Sequence, residues 1–348
     1  MKKHWWKALG VLLLLYSFFL GLLTPLKTGI AEVSPQSLKA GQTVVLDVKG
    51  YNSFYTKNKE SLRAWLNFDT SKRLAARRIE VMDDRHLRLE FDLPAFLPTE
   101  KKVKDFSLWI DSPADGTSIF PGAVFITQDS INPAAGEAAW QHSPLPELHR
   151  KDAITFPYRN VLGETIRNTY YHVPLWFAMF FLFIGAVIFS VRHLWKFNPD
   201  DDRKATSLTS VGILMGILGL VTGAIWAKHT WGAYWSWDVK QNMTAVGLLI
   251  YGAYFVLRGS FEDPEKKARI SAVYNIFAFA TLIPLLYVIP KLTDSLHPGA
   301  GGNIAMGSQD LDNTMRLIFY PAIIGWTLFG LWMAQLVLRV ARLKEALL

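Results

Sequence analysis

The sequence predicts an α-helical polytopic membrane protein with six transmembrane helices and an extracytoplasmic, immunoglobulin-like β-sandwich inserted between helices one and two. Three observations carry this. Of the 348 residues, 51% are hydrophobic, and several stretches hold no Asp, Glu, Lys or Arg over a length that crosses a hydrocarbon core of roughly 30 Å. A segment of different composition, with alternating apolar and polar residues, separates the first stretch from the second. The basic residues are shared very unequally among the short connecting segments.

The expected spans run from Ala8 to Leu26, Val173 to Val191, Ser207 to Ala227, Gln241 to Leu257, Ile270 to Pro290 and Leu317 to Leu338. The first has the basic start of a signal peptide. No small-x-small cleavage site clearly follows it, so it reads as an uncleaved span. The chain then divides into a first helix (1–27), a β-rich domain (28–155) and a five-helix remainder (156–348).

Six spans place both termini on one side. The short segments on that side carry 14 basic residues, from Lys2, Lys3 and Lys7 through Arg192 and Arg258 to Lys344. The two short loops opposite carry Lys228, Lys240, Lys291 and Arg316. The positive-inside rule therefore puts both termini in the cytoplasm and the β-rich segment outside. The net charge of +8 serves orientation and calls for no nucleic acid. The absence of cysteine excludes disulfides, thiolate-ligated metals and a cysteine nucleophile.

Within residues 28–155 the apolar runs are Thr43–Val48, Arg63–Phe68, His86–Leu93, Phe106–Ile110 and Ala123–Thr127. Lys49-Gly50, Asp83-Asp84, Ser112-Pro113 and Asp115-Gly116 read as turns between half-buried antiparallel strands. The spacing suits a small sandwich. It holds no metal-ligand spacing, nucleophile elbow or phosphate loop, and a docking role is expected. His142 and His149 follow in a Pro-rich linker, where solvated histidines are the ordinary reading.

The densest signal is Trp231-Gly232-Ala233-Tyr234-Trp235-Ser236-Trp237-Asp238, between the third and fourth spans. Tryptophan and tyrosine gather at membrane interfaces, so an aromatic belt is one reading. A stacking platform for a large planar ligand is the other, because a belt does not require this cluster in one loop. His172 and His297 belong on the same face as the tryptophans, and two histidines around an aromatic platform can ligate a haem iron from both sides. His229 is a competitor, two residues before Trp231. His193 is expected on the cytoplasmic side and His86 in a strand.

Trp231 to Asp238 resembles the tryptophan-rich WWD signature of the haem-handling membrane proteins of cytochrome c biogenesis. Gly163 to Pro174 (GETIRNTYYHVP) resembles the stretch before the second span of the cytochrome c maturation protein C (CcmC) family. The resemblance covers residues from about 156 to the C-terminus well and the first span loosely. It implies haem b (iron protoporphyrin IX) held at the outer face of the bacterial inner membrane, with His172 and His297 as axial ligands. Trp231, Gly232, Trp235, Trp237 and Asp238 form the platform it implies, and Lys240 a partner for a haem propionate.

The implied function is haem delivery to the periplasmic chaperone CcmE rather than catalysis in the strict sense. The implied partners are the ATP-binding-cassette components CcmA and CcmB, the small helper CcmD and membrane lipid. Two features depart from the family pattern: the inserted β-rich domain, and Lys240 where Arg is frequent. The second leans toward the related CcsA-type synthases, which ligate haem to apocytochrome. That activity, a haem transporter and a scaffold with only an aromatic belt are the competing readings. The spans show no intramembrane histidine pair of the kind a synthase commonly adds, and no charged pathway for an anionic ligand.

Overall fold

A computed structural model describes residues 4–69, 71–140, 147–150, 154–160, 162–297 and 311–347. Lys2, Lys3, His142, Pro298 and Gly299 lie outside the described residues. The chain forms two compact units, one of Met1–Thr24 with Glu164–Leu348 and one of Pro25–Gly163.

Helix α1 (Trp5–Leu23) is followed by β1 (Gly29–Ser34), β2 (Ser37–Lys39), β3 (Thr43–Tyr51), β4 (Arg63–Asn67) and β5 (Arg73–Ala75). Then come β6 (Arg78–Val81), β7 (His86–Asp92), β8 (Val103–Ser112), β9 (Gly116–Thr127) and the short helix α2 (Pro133–Ala139). The strands make two sheets, ordered β1-β3-β7-β6 and β2-β9-β8-β4-β5. All pairings are antiparallel except β2 with β9.

Period-two alternation explains the shared core. In β7, Leu87, Leu89 and Phe91 are buried while His86, Arg88 and Asp92 face out. Leu89 pairs with Leu46, and Leu87 with Val48. From the other sheet Leu66, Phe106, Leu108 and Val124 join the same cluster, where Trp140 stacks on Phe106 at 4.8 Å.

Each of the five expected apolar runs overlaps a strand: β3, β4, β7, β8 and β9. Lys49-Gly50 is not a turn. Both residues lie inside β3, with Gly50 opposite Ile30. The glycine is there for room, since a Cβ at position 50 would meet Tyr55 Oη at 2.6 Å. Asp83 does make the β6–β7 turn, its carboxylate accepting the N–H groups of Arg85 and His86 at 2.7 and 2.9 Å.

A second correction concerns the linker. His149 is no free side chain: its backbone N–H and Nδ1 both bond the Asp111 carboxylate, at 2.9 and 2.8 Å. Thr117 Oγ1 donates to the same carboxylate at 2.7 Å and Arg63 Nε at 3.0 Å. Asp111 is wholly buried, so these donors replace the water it has lost. Burial alone would raise its pKa. The Thr117, His149 and Arg63 donors outweigh burial and bring it down to about 2.

The helical unit continues with α3 (Thr169–Lys196), α4 (Pro199–Trp231), α5 (Val239–Gly259) and α6 (Pro264–Ile283). A π-helical turn (Pro284–Val288) carries α6 into α7 (Ile289–Leu292), and α8 (Asn313–Leu347) closes the unit. The helices outrun the expected spans because capping residues start them earlier. Asn198 and Asp263 each cap a helix whose first residue is proline, accepting the N–H of Asp200 at 3.0 Å and of Glu265 at 3.1 Å.

Five of these segments are long and apolar enough to cross a membrane: α1, Gly163–Lys196, α4, Pro264–Leu292 and α8. This is a multi-pass helical membrane protein with a β-sheet unit after its first helix. The fourth expected span corresponds to α5, a full helix of 21 residues but a more polar one, bearing Lys240, Gln241, Asn242 and Thr244. Helix α1 packs along α8, where Tyr16 Oη donates to Leu317 O at 3.2 Å. Arg167 closes its C-terminus by donating to the carbonyls of Gly21 and Thr24 at 2.9 and 2.6 Å.

Candidate functional site

Helices α3, α4 and α5, the α4–α5 loop, the π-helical turn and the segment after α7 meet around an open cavity of about 230 Å³ in the helical unit. Its walls include His172, Trp176, Trp235, Lys240, Tyr287 and His297. The two histidines far apart in sequence thus share one cavity.

His172 stands in the first turns of α3. Its Nδ1 lies 3.1 Å from Thr222 Oγ1 of α4. Thr222 donates its own proton to Leu218 O at 2.8 Å, so it accepts one from Nδ1. This assigns the tautomer from the network: Nδ1 carries hydrogen and Nε2 the lone pair. The indole N–H of Trp176, one helical turn further along α3, donates to that lone pair at 3.3 Å. Helix α4 leaves space for both rings. A Cβ on Gly223 would come within 2.7 Å of His172 Cε1, and one on Gly219 within 2.7 Å of Trp176 Cε2.

His297 is held differently. Its Nδ1 lies 2.8 Å from Asp238 Oδ1, which fixes hydrogen on Nδ1. The ring sits 4.7 Å from the Trp231 ring, edge to face, and 6.0 Å from the Trp226 ring. Burial disfavours the His297 imidazolium, and the Lys240 charge adds to this. Although Asp238 opposes both, the pKa of His297 stays below the usual imidazole value.

Asp238 joins this site to the start of α5. As the N-cap it accepts the Lys240 N–H at 2.9 Å, and it also accepts the Leu296 N–H at 2.8 Å and the Ser295 hydroxyl at 2.9 Å. Burial would raise its pKa. The Leu296 N–H, the charge of His297, the Lys240 N–H and Ser295 outweigh burial and hold its carboxyl below the ordinary range.

The other expected residues take distinct places. Gly232 ends α4 in the left-handed region, at φ +85°. Trp235 lines the cavity. Trp237 is 78% exposed and does not line it, and its φ of +59° is unusual for a bulky side chain. His229 is exposed near the end of α4 and is not among the lining residues. His193 lies 21 residues along α3 from His172, a rise of about 31 Å, and its Nδ1 bonds Asn198 O at 2.8 Å. His86 pairs with Asp83 in the β unit at 2.9 Å.

Sequence reasoning missed Trp176, Thr222, Trp226, Gln241 and Ser295. Trp176 had a signal, the i+4 spacing from His172. Gln241 accepts both the N–H and hydroxyl of Ser236, at 2.9 and 3.0 Å, and so folds the tryptophan loop back on α5.

The family model for Heme exporter protein C matches residues 153–347. The chain belongs to the Heme exporter protein C family. That match takes in both histidines, the tryptophan loop and every wall of the cavity. Among similar proteins is the Heme exporter protein C of Bradyrhizobium diazoefficiens, 27% identical over 167 residues, which are 48% of this chain and 62% of that protein. That of Paracoccus denitrificans is 25% identical over 177 residues, 51% of this chain and 72% of the relative. That of Escherichia coli K12 is 23% identical over 188 residues, 53% and 72%. The chain thus spans less than two thirds of the first of these relatives. The β unit up to residue 152 lies outside the family match.

Proposed function

We propose that this protein binds haem b at the outer face of the bacterial inner membrane and presents it to the periplasmic chaperone CcmE. His172 and His297 are the axial ligands in this reading. One observation carries it: two imidazoles in one cavity, each with its Nδ1 hydrogen engaged, so that each has its lone pair on Nε2. Among the described residues no three His, Asp or Glu side chains gather as a metal site. Two imidazoles are few for a bare ion, which takes about four ligands or more. They suit an iron that brings four nitrogens of its own. The bound group would supply the reactive chemistry.

The chain's own residues bind and orient. Asp238 sets the tautomer and ring plane of His297, as a carboxylate partner does for metal-ligating histidines. Trp235 offers an aromatic wall, and Trp231 holds His297 in place. Lys240, at the cavity wall, supplies a point charge for a propionate. Gly232 shapes the loop, while Trp237, exposed beside it, is the residue of the signature best placed to touch a partner.

Six spans, with α5 as the fourth, put both termini in the cytoplasm and the site outside, together with an immunoglobulin-like β unit used for docking. CcmA, CcmB and CcmD are the remaining partners in this scheme. Haemin titration of the purified protein in detergent is the test. A low-spin spectrum that His172→Gly or His297→Gly removes, and His229→Ala leaves intact, supports the reading. A low-spin spectrum surviving loss of both histidines overturns it.

A further inference from the structure

The two candidate ligands are not equivalent. Asp238 supports His297 with a full negative charge, which raises the basicity of a ligating imidazole. His172 has only neutral groups behind it, the Thr222 hydroxyl and the Gly219 carbonyl, and its lone pair is already in use. The indole of tryptophan can only donate. The 3.3 Å contact from Trp176 Nε1 therefore ends on the one nitrogen of His172 that could bond a metal. No iron can use that lone pair until the indole N–H withdraws. The geometry returns the indole to it, since Trp176 is one turn along the same helix and its ring lies in the space that Gly219 leaves.

We propose that Trp176 is a positioning residue that competes with iron for Nε2 of His172 and so makes that side of the site the releasable one. This rests on the haem-binding reading above. In loading, the Trp176–His172 hydrogen bond breaks as the Nε2–iron bond forms. In release, the iron bond breaks and the indole takes back the lone pair, with no proton transferred in either direction. His297, kept in place by Asp238, lets go last.

The test uses the full chain in detergent, with haemin as the probe. A neutral hydrogen bond of typical net strength is equivalent to an affinity factor of about 2- to 10-fold. Trp176→Phe keeps an aromatic wall and removes the donor. It is expected to bind haemin tighter by about that factor, with the low-spin spectrum retained and slower loss of haemin to a scavenging apoprotein. Placing 3-benzothienylalanine at position 176 swaps N–H for sulfur at nearly constant shape and should give the same result. In a His172→Gly background neither change should alter affinity, because the lone pair at issue is gone.

The haem-free protein provides a separate readout. The Trp176 indole proton should resonate downfield of its position in His172→Gly. Equal or weaker affinity in Trp176→Phe, or the same shift in the His172→Gly background, would show that Trp176 is only a wall and overturn the proposal. Unchanged haemin binding on loss of His172 and of His297 would instead sink the haem reading itself.

Discussion

His297 Nδ1 lies 2.8 Å from Asp238 Oδ1, in a carboxylate that also accepts the N–H of Lys240 and of Leu296. One side chain therefore starts α5, holds the segment before His297 and orients the imidazole. Asp238→Asn keeps an N-cap acceptor, and asparagine caps helices about as well as aspartate. It loses the charge behind the ring. Helix content should stay unchanged, whereas haemin affinity should fall about 10- to 100-fold, the usual cost of losing a ligand's supporting partner. Circular dichroism and haemin titration separate the two effects.

Gly223→Ala should displace His172 without unfolding the helical unit. The new methyl would meet the imidazole at 2.7 Å, and overpacking costs about 1–3 kcal/mol. The low-spin spectrum should weaken or vanish while the protein still inserts. Gly252→Ala in α5, where a Cβ would meet nothing within 4 Å, is the matched control and should leave the spectrum as it is.

The tryptophans of the loop should differ in effect. Trp235→Ala removes a cavity wall and should cost haemin binding about 10-fold or more, given roughly 0.5–1.5 kcal/mol for aromatic packing beyond the apolar area lost. Trp237→Ala, at an exposed position, should change haemin affinity by less than about 0.5 kcal/mol. If Trp237 meets the chaperone, its loss should instead slow haem transfer to CcmE. Equal loss of haemin affinity in both variants would count against the cavity as the binding site.

The Asp111 cluster predicts an acid-sensitive strap. The depressed carboxyl stabilises the folded unit fully above its unfolded pKa of roughly 3.9. That contribution is lost as pH falls through about 2. Amide exchange over residues 147–150, corrected for intrinsic rates, should be constant from neutral pH to about pH 5. It should rise steeply below about pH 4. Asp111→Asn should raise exchange already at neutral pH and flatten the acid dependence.

Topology has a simple check. A reporter after Leu348 should read cytoplasmic, and one placed in the Gly232–Ser236 loop should read external. The same side for both would place α5 outside the bilayer and remove the outer-face assignment of His172, Trp235 and His297.

The membrane helices were legible because charge-free runs have few other uses. Their ends were not. Asp200, Asp201 and Asp202 look like a loop in a hydropathy reading, yet Asn198 and Pro199 start α4 ahead of them. The longer alternating strands could be read, while β2, β5 and β6, of three or four residues, have too few positions to show a period. Gly50 misled because close approach and turning require the same residue type. At the cavity, His172 and His297 stood out as histidines at the ends of apolar runs. Thr222, Gly219 and Gly223 could not, because their roles exist only where α4 packs against α3.

The π-helical turn at Pro284–Val288 carries two cavity walls, Leu286 and Tyr287. Such a turn holds one residue more than the α-helix around it. Deleting a single residue there would let the segment close into an unbroken α-helix with little harm to its hydrogen bonding. Everything beyond would then swing by about 100° about the helix axis, the angle per residue at 3.6 residues per turn. Tyr287 would leave the cavity, and the short stretch from α7 to His297 would start from the wrong side. The extra residue thus acts as a spacer that sets the azimuth of the distant His297, so length variation in this helix should be far less tolerated than substitution.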